Sequence, residues 1–300
     1  MRILVSGSTG FIGSELVTLL RSKNHPVLRL VRSKSSSPDE QILWNPIARV
    51  LDVKKLEGLD AVFHLAGDPI AQGRWTPEKK AQIRDSRVRG TLFLAESLAR
   101  LERPPKSLLC ASAIGIYGDR AGENLTEESS LGSGFLAEVG KQWEAACEPA
   151  SQKGIRVVHL RTGVVLSPQG GALKMMLLPF RLGLGGILGT GQQSMSWISL
   201  PDVVNAFHHA LQTESLRGPV NIVSPNPVTN QEFTKTIGRV LKRPTILPAP
   251  AFALRIALGE MADEILLASA RVEPKRLKAT GYRFLHPDLE TALSALLGKS

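Results

Sequence analysis

The chain opens with an apolar run, three glycines spaced three residues apart and an amphipathic run, in "RILVSGSTGFIGSELVTLL" over residues 2–20. In a strand–turn–helix unit, Gly7 allows a tight turn, Gly10 lets a ligand approach the backbone and Gly13 lets the helix pack closely. Ile12 and Leu16 fall on one helical face. The spacing therefore predicts a helix whose N-terminal backbone amides face a bound anion.

The rest of the first half alternates strand-like and helical stretches. This alternation is typical of a parallel sheet that is covered by helices on both faces. We therefore predict an α/β fold with a Rossmann-type, doubly wound parallel sheet. The candidate strands cover residues 2–6, 27–31, 61–66, 107–112 and 156–161, and the candidate helices lie near 13–23, 77–102 and 135–153.

The glycine spacing is also the fingerprint of a dinucleotide site, in which the pyrophosphate lies on the N-terminus of the helix. A site for NAD has an acidic residue about 20 residues further on, which binds the ribose hydroxyls. This chain instead has Arg32 at the end of the second candidate strand, followed by "SKSSS". Because a guanidinium pairs well with a 2′-phosphate, we predict NADP(H) as the cofactor. A purely solvated role for Arg32 stays open.

The second half differs in composition, since residues 167–193 are rich in glycine. Two helix starts follow, "SLPD" at 199–202 and "TNQE" at 229–232, and the remaining pattern is mostly helical. We therefore expect a smaller, mostly helical C-terminal domain on the substrate side of the sheet. The expected division is an NADP-binding Rossmann domain over 1–166, joined by 195–224, and a substrate-side region over 167–300 that includes the helical domain from about 246.

Charge and composition exclude several classes of protein. The net charge of +10 favours an anionic ligand, but the basic residues are scattered and no nucleic-acid-binding motif accompanies them. No apolar run approaches the ~20 residues that span a bilayer, and no signal peptide is recognisable. We therefore expect a cytoplasmic protein with a small-molecule substrate and with neither nucleic acid nor a membrane as partner. Cys110 and Cys147 lack the spacing of metal ligands, so reduced thiols and no metal are expected.

Further motifs extend the pattern, namely "HLAG" at 64–67, "SAIGIYG" at 112–118, "KQWEAA" at 141–146 and "SWISLPD" at 196–202. Together with the glycine motif, they make the chain resemble an extended short-chain dehydrogenase/reductase of the NAD(P)-dependent epimerase/dehydratase family. The resemblance is specific to an atypical, sugar-nucleotide epimerase-like subfamily that ends in a domain of unknown function. It covers essentially the whole chain.

The resemblance implies a set of cofactor contacts. The residues implied at the pyrophosphate are Thr9, Gly10, Phe11 and Ile12, which lie between the Gly7 and Gly13 of the glycine motif. Those implied under the adenine and its ribose are Leu65, Ala66 and Gly67. Arg87 stands where relatives have an asparagine, from which it would reach a phosphate or the nicotinamide side. Gln82 would lie toward the same face, and Val164 would contact the nicotinamide end.

The catalytic pattern of this superfamily is interrupted. Its reductases and epimerases transfer a proton from a tyrosine whose pKa is lowered by a lysine one helical turn later. Lys141 fits the lysine, but Ala137 stands four residues before it. The candidate catalytic set also includes Ser112, at the position that binds the carbonyl in relatives. Its last member is Tyr117, which is either a displaced acid or a packing residue.

A substrate site is implied in the glycine-rich region, where a basic pair suits an acidic or phosphorylated ligand and a tryptophan could stack on a ring. The implied residues are Lys174, Arg181, Gln192 and Trp197, each of which is alternatively structural. Elsewhere, we expect His64 to be a satisfied core residue, and Glu138 and Glu144 to be solvated.

Two main functions stay open at this point, and a third, a nucleic-acid-binding protein that shares the fold, rests on the net charge alone. The first is an NADP(H)-dependent oxidoreductase or epimerase that acts on a small carbonyl or nucleotide-sugar-like substrate. The second is a non-catalytic NADP(H)-binding sensor or scaffold, which the missing tyrosine favours. A homodimer through the candidate helices 77–102 and 135–153 is also left open.

Overall fold

An eight-stranded, mostly parallel sheet organises the residues that the computed structural model describes, which are 1–33 and 40–298. The strands, in chain order, are β1 (Ile3–Ser6), β2 (Val27–Val31), β3 (Gln41–Asn45), β4 (Val50–Leu51), β5 (Ala61–His64), β6 (Ser107–Ala113), β7 (Asn124–Leu125), β8 (Arg156–Thr162), β9 (Val164–Leu166), β10 (Ser194–Met195), β11 (Trp197–Ser199), β12 (Gly218–Ile222), β13 (Val228–Thr229) and β14 (Arg271–Val272).

The strand order of the central sheet is β12-β8-β6-β5-β1-β2-β3-β4. Its neighbours are parallel except for the pair β3–β4. Ile3 of β1 pairs with Val27 on one side and with Ala61 on the other, so the chain reverses its direction of travel across the sheet beside β1. Such a switch point opens a crevice at the carboxyl ends of the strands, where α/β sheets bind ligands. The predicted Rossmann-type fold is confirmed.

Helices cover both faces of this sheet. They are α1 (Phe11–Ser22), α2 (Pro77–Ala99), α3 (Phe135–Ala145), α4 (Glu148–Gln152), α5 (Gly171–Arg181), α6 (Leu200–Gln212), α7 (Asn230–Leu241), α8 (Ala251–Leu258), α9 (Lys275–Ala279) and α10 (Leu289–Leu297). On the face of α1 and α6, Phe207 packs with Phe63 of β5. On the face of α2, α3 and α4, Trp143 belongs to the same buried cluster as Val62. Neighbouring residues of β5 thus enter opposite cores, as a doubly covered parallel sheet requires.

Local sequence signals explain where the helices begin. The hydroxyl of Ser199 accepts the N–H of Asp202, and Thr229 forms a reciprocal capping box with Glu232, so both predicted starts are confirmed. The predicted helix over 135–153 divides into α3 and α4, because Pro149 has no N–H and fits a first helical turn better than a helix interior. Within the predicted polar loop over 33–40, residues 34–39 lie outside the described residues.

Asp202 joins the C-terminal segment to the helix layer. Its wholly buried carboxylate accepts hydrogen bonds from the Tyr282 hydroxyl at 3.1 Å and from the backbone N–H groups of Leu285 and His286 at 2.7 and 2.9 Å. A buried carboxylate is tolerated only where several donors satisfy it. These bonds therefore fix the segment that contains Tyr282–His286 against the start of α6.

Candidate functional site

The glycine loop between β1 and α1 packs directly against the loop that follows β5. Gly7 has a φ of +66°, and a Cβ there would lie 2.8 Å from the carbonyl carbon of Leu65. A Cβ on Gly13 would clash with the carbonyl oxygen of Gly7. No other residue type fits either position without moving the backbone, so the tight turn and the close helix approach depend on these glycines.

The N-terminus of α1 offers free hydrogen-bond donors to a ligand. No side chain of the described residues caps this helix, and its first turn has no acidic residue. Thr9 and Gly10 in front of it are exposed. The hydroxyl of Ser8, a residue that the sequence analysis did not single out, is buried and has no partner among the described residues. Backbone amides at a helix start and an unsatisfied hydroxyl together suit a phosphate group.

The first two side chains of α1 are engaged elsewhere. A Cβ on Gly170 would lie 2.5 Å from Cδ2 of Phe11, and a Cβ on Gly171 would lie 2.9 Å from its Cε1, so the ring packs against the start of α5. Ile12 packs against the core on the α1 face of the sheet. What Phe11 and Ile12 can offer a phosphate is therefore their backbone N–H groups.

Arg87 of α2 lies beside Gly67, at the end of the loop after β5. Its Cζ would be 3.3 Å from a Cβ on Gly67, its Nη1 donates to the carbonyl oxygen of Asp68 at 2.9 Å, and its guanidinium lies 5.1 Å from the centre of the Trp143 ring. Burial lowers the pKa of Arg87 to about 10, against the opposing effect of the Asp68 charge. The Asp68 carboxylate itself pairs with Lys79. A largely desolvated cation of this kind is stabilised by a bound anion.

The other predicted cofactor residues lie at different depths. Arg32 is exposed immediately after β2. Gln82 is exposed on α2, whereas Arg87 is half-buried five residues later, so the two do not share one face. Val164 is partly buried in β9, where its N–H donates to the carbonyl oxygen of Ser196 at 2.9 Å.

Two of the predicted catalytic residues belong to one buried network near the ends of β6, β8 and β12. Ser112 Oγ donates to Oε1 of Glu144 at 2.7 Å. Arg161 donates to both oxygens of Glu144, at 2.8 and 2.7 Å, and to the Tyr117 hydroxyl at 3.0 Å. That hydroxyl lies 2.8 Å from Oδ1 of Asn221. Ser112 is 4 % exposed and Tyr117 0 %, so an ion pair joins the two hydroxyls inside the protein.

This network fixes the protonation of its members. Burial raises the pKa of the Tyr117 phenol, and the charge of Arg161 does not offset that effect. Burial also opposes ionisation of Glu144, but its hydrogen bonds and the charge of Arg161 hold the Glu144 pKa below its ordinary value. The expectation that Glu144 is solvated is wrong, because α3 turns it toward Ser112 on β6 and Arg161 on β8.

Lys141 lies outside this network. Its Nζ pairs with Oε1 of Glu138 at 2.7 Å, and about a third of its side chain is exposed. Ala137, four residues before it, is fully buried. The lysine therefore lacks the tyrosine that it would activate, and Ser112, Tyr117 and Lys141 do not form one catalytic constellation.

The predicted substrate residues divide into one buried and three exposed side chains. Trp197 is fully buried, and its Nε1 donates to the carbonyl oxygen of Asn226 at 3.0 Å, so the predicted stacking on a substrate ring is wrong. Lys174 and Arg181 are exposed on α5, and their seven-residue spacing puts them on one helical face. Gln192 is exposed as well.

Residues 1–33 and 40–298 contain neither a cluster of metal ligands nor a helix that could span a membrane. No group of three or more histidine, cysteine, aspartate or glutamate side chains there could hold a metal ion. No helix in these ranges has both the length and the apolar character needed to cross a membrane.

Two family models match the sequence. The model described as the NAD dependent epimerase/dehydratase family matches residues 3–223, which include the whole central sheet. A second model, a domain of unknown function called DUF1731, matches residues 249–296.

Known relatives match over nearly the full length. The epimerase family protein Mb2239 of Mycobacterium bovis is 45% identical over 291 residues, which cover 97% of this chain and 96% of the relative. The chloroplastic SDR39U1 homolog of Arabidopsis thaliana is 40% identical, over 99% of this chain and 87% of the relative. The crystal structure of human epimerase family protein SDR39U1 (isoform 2) with NADPH has a TM-score of 0.91 and 34% identity, and the match covers 99% of each chain.

Proposed function

Because the chain belongs to the NAD-dependent epimerase/dehydratase family, we propose that it binds NADP(H) in the crevice beside β1, at the carboxyl ends of the strands. The observation behind this proposal is the glycine loop. Gly7 and Gly13 leave no room for a Cβ, and the uncapped start of α1 offers donors beside the unsatisfied Ser8 hydroxyl. The NADPH in the human relative supports the same cofactor here.

The proposed site combines backbone donors with two cations. The N–H groups of Thr9, Phe11 and Ile12 would hold the pyrophosphate, since that of Gly10 donates to the carbonyl oxygen of Gly7. The backbone of Leu65–Gly67 would lie against the adenosine. Arg87 would supply a desolvated positive charge next to Gly67. Arg32 occupies the position at the end of β2 where an acid would bind the free ribose hydroxyls of NAD, and it would pair with the 2′-phosphate.

We propose a hydride transfer between NADP(H) and a small carbonyl or nucleotide-sugar-like substrate as the reaction at this site. When bound, NADP(H) would supply the hydride for the carbonyl carbon, and a water molecule would donate the proton to the carbonyl oxygen and leave as hydroxide. Water is the proposed proton donor because the hydroxyls of Ser112 and Tyr117 are both engaged in the buried network. The exposed cations Lys174 and Arg181 favour an acidic or phosphorylated substrate.

A second candidate function is a sensor or scaffold that binds NADP(H) without turning it over. Ala137 favours this candidate, since no tyrosine stands one turn before Lys141. Oxidation of NADPH in the presence of a panel of carbonyl compounds and nucleotide-sugars separates the two candidates. Turnover on any member establishes the oxidoreductase, whereas tight binding without turnover favours the sensor.

The cofactor assignment predicts a selective effect of Arg32→Ala. Loss of a charge-assisted contact to the 2′-phosphate should weaken NADPH binding about 10- to 100-fold and should leave NADH binding nearly unchanged. Calorimetric titration of both nucleotides measures the two affinities, and Arg103→Ala, a change at another exposed arginine, is the matched control. Equal losses for both nucleotides would remove the 2′-phosphate role, and a wild-type protein that binds neither nucleotide would refute the proposed function.

A further inference from the structure

A serine and a histidine meet beneath the loop that follows β5. Ser6 of β1 and His64 of β5 are register partners, both are fully buried, and Ser6 Oγ lies 2.6 Å from Nδ1 of His64. The same hydroxyl oxygen accepts the N–H of Leu65 at 3.1 Å and the N–H of Ala66 at 3.3 Å. One serine thus contacts the imidazole and two successive backbone amides.

These contacts determine where the protons lie. A hydroxyl has one hydrogen to donate and two lone pairs to accept with. Because the amides of Leu65 and Ala66 occupy the lone pairs, the hydrogen of Ser6 points to Nδ1 of His64. The imidazole is therefore neutral and has its own hydrogen on Nε2. This atom is buried and has no hydrogen-bond partner among the described residues.

The loop that Ser6 supports is the one that packs against the rest of the proposed cofactor site. The backbone of Leu65 and Ala66 is the part that excludes a Cβ from Gly7, and Gly67 adjoins the Arg87 guanidinium. A shift of this loop would therefore move both the glycine loop and the cation beside it. A histidine whose only role was to fill the core would not need to orient a hydroxyl toward two loop amides.

We propose that Ser6 and His64 are a positioning pair that sets the backbone of Leu65–Gly67 for the adenosine half of NADP(H). This inference rests on the proposed cofactor binding. His64 acts through Ser6, since it accepts the only hydroxyl hydrogen and leaves both lone pairs to the loop amides. Neither side chain reaches the cofactor itself.

The test compares variants that remove the Ser6 hydroxyl or the hydrogen-bond acceptor at position 64 with a variant that retains an acceptor at position 64. Ser6→Ala and His64→Leu should each weaken adenosine 2′,5′-bisphosphate and NADPH about tenfold, the size expected for one buried hydrogen bond. The double variant should lose no more than about the larger single loss, because both changes break one unit. His64→Asn should recover most of the affinity lost in His64→Leu, since an amide oxygen can accept from Ser6. Hydrogen exchange should accelerate in the two disruptive variants, and more at Ala66 than at Leu65, because the Leu65 N–H also donates to the backbone carbonyl oxygen of Ser6 at 3.3 Å.

Ser97→Ala is the matched control, because Ser97 is also a buried serine and donates to a backbone carbonyl within α2, away from this loop. A folded Ser6→Ala protein with wild-type affinity for adenosine 2′,5′-bisphosphate would overturn the inference, as would an equal loss in Ser97→Ala. If Ser6→Ala does not fold, the comparison of His64→Leu with His64→Asn decides in its place. A wild-type protein that does not bind NADPH refutes the proposed function itself, whereas normal wild-type binding with unaffected variants refutes the positioning pair alone.

Discussion

At the scale of single residues, several buried polar groups are paired between elements that are separated in sequence. Glu144 meets Arg161 and Ser112, and His64 meets Ser6. Each pairing leaves a defined charge state, an ion pair in the first case and a neutral imidazole in the second. Since unsatisfied buried charges are costly, these states make the stability of the fold sensitive to pH.

His64 predicts the sign of one such dependence. Burial lowers its pKa to about 4 from the ordinary 6.5, so the unfolded chain binds more protons than the folded chain between these values. The stability contributed by the neutral ring is thus complete above pH 6.5 and is lost as the pH falls toward 4, at up to about 1.4 kcal/mol per pH unit. Urea unfolding of the wild type and of His64→Asn, near neutrality and in this acid window, measures the effect.

The variant cannot titrate at position 64, so the wild type should lose more stability on acidification than His64→Asn does. Four other histidines with lowered pKa values also contribute, namely His25, His159, His208 and His209, but they are present in both proteins. A stability difference that stays constant with pH would contradict the buried neutral state of His64.

At the scale of elements, the C-terminal segment supplies the cap that α3 lacks. No side chain of its own neighbourhood caps this helix. The carboxylate of Glu264, in the turn over Ala262–Leu267, accepts the N–H groups of Phe135 and Leu136 at 3.0 and 3.1 Å. Gly134 leaves space for that carboxylate, since a Cβ there would clash with it. The helix that carries Trp143 beside Arg87 thus begins on a group from the segment that matches DUF1731.

Removing this cap should cost a measurable amount of stability. Glu264→Ala leaves two amides at the positive end of α3 without a partner and should lower the free energy of unfolding by about 1–2 kcal/mol. Glu290→Ala, which removes an exposed carboxylate that pairs with Arg239 on the surface, should change stability much less, because solvent screens the pair. Urea unfolding curves compare the two variants, and equal effects would show that Glu264 does not act as a cap.

Strands and helices were predictable from the sequence where a few neighbouring residues determine them. The strand over 27–31 and both capped helix starts were predicted correctly, because an apolar run and capping residues are encoded within a few residues. β12 was missed because Gly218 and Pro219 hide a strand that forms only at the sheet edge. The glycine loop was predictable from spacing alone. Glu144 was misjudged because its partners, Ser112 on β6 and Arg161 on β8, are remote from α3 in sequence, whereas His64 is buried in the core as expected.

At the scale of the whole molecule, two buried carboxylates form hydrogen bonds between the C-terminal segment over 249–296 and the preceding α/β domain. Asp202 accepts the backbone N–H groups of Leu285 and His286. Glu127 accepts those of Asn221 in β12 and Arg276 in α9. The segment that matches DUF1731 is therefore joined to the sheet by hydrogen bonds as well as by apolar packing.

Asp202→Ala should consequently destabilise the whole protein. It leaves the backbone amides of Leu285 and His286 without their acceptor, which predicts a loss of about 3 kcal/mol or more in the free energy of unfolding. Asp263→Ala, at an exposed carboxylate that pairs with Arg255, is the control and should change stability by less than about 1 kcal/mol. Urea unfolding, together with hydrogen exchange at Leu285 and His286, measures both, and a small loss in Asp202→Ala would mean that packing alone holds the segment.

β12 follows its sheet neighbour β8 only after a long stretch of chain, so β8 is synthesised well before its edge can be covered. Gly218 of β12 pairs with Val158 of β8, and all of α5 and α6 lies between them in the chain. During synthesis, β8 therefore leaves the ribosome well before β12, the strand that covers its edge. The hydrogen bond between the Tyr117 hydroxyl and Asn221 of β12 can form only after β12 has emerged. Until then the nascent chain exposes an unpaired strand edge, which is a site for association with other chains. A truncated product that ends before residue 218 would keep that edge open permanently.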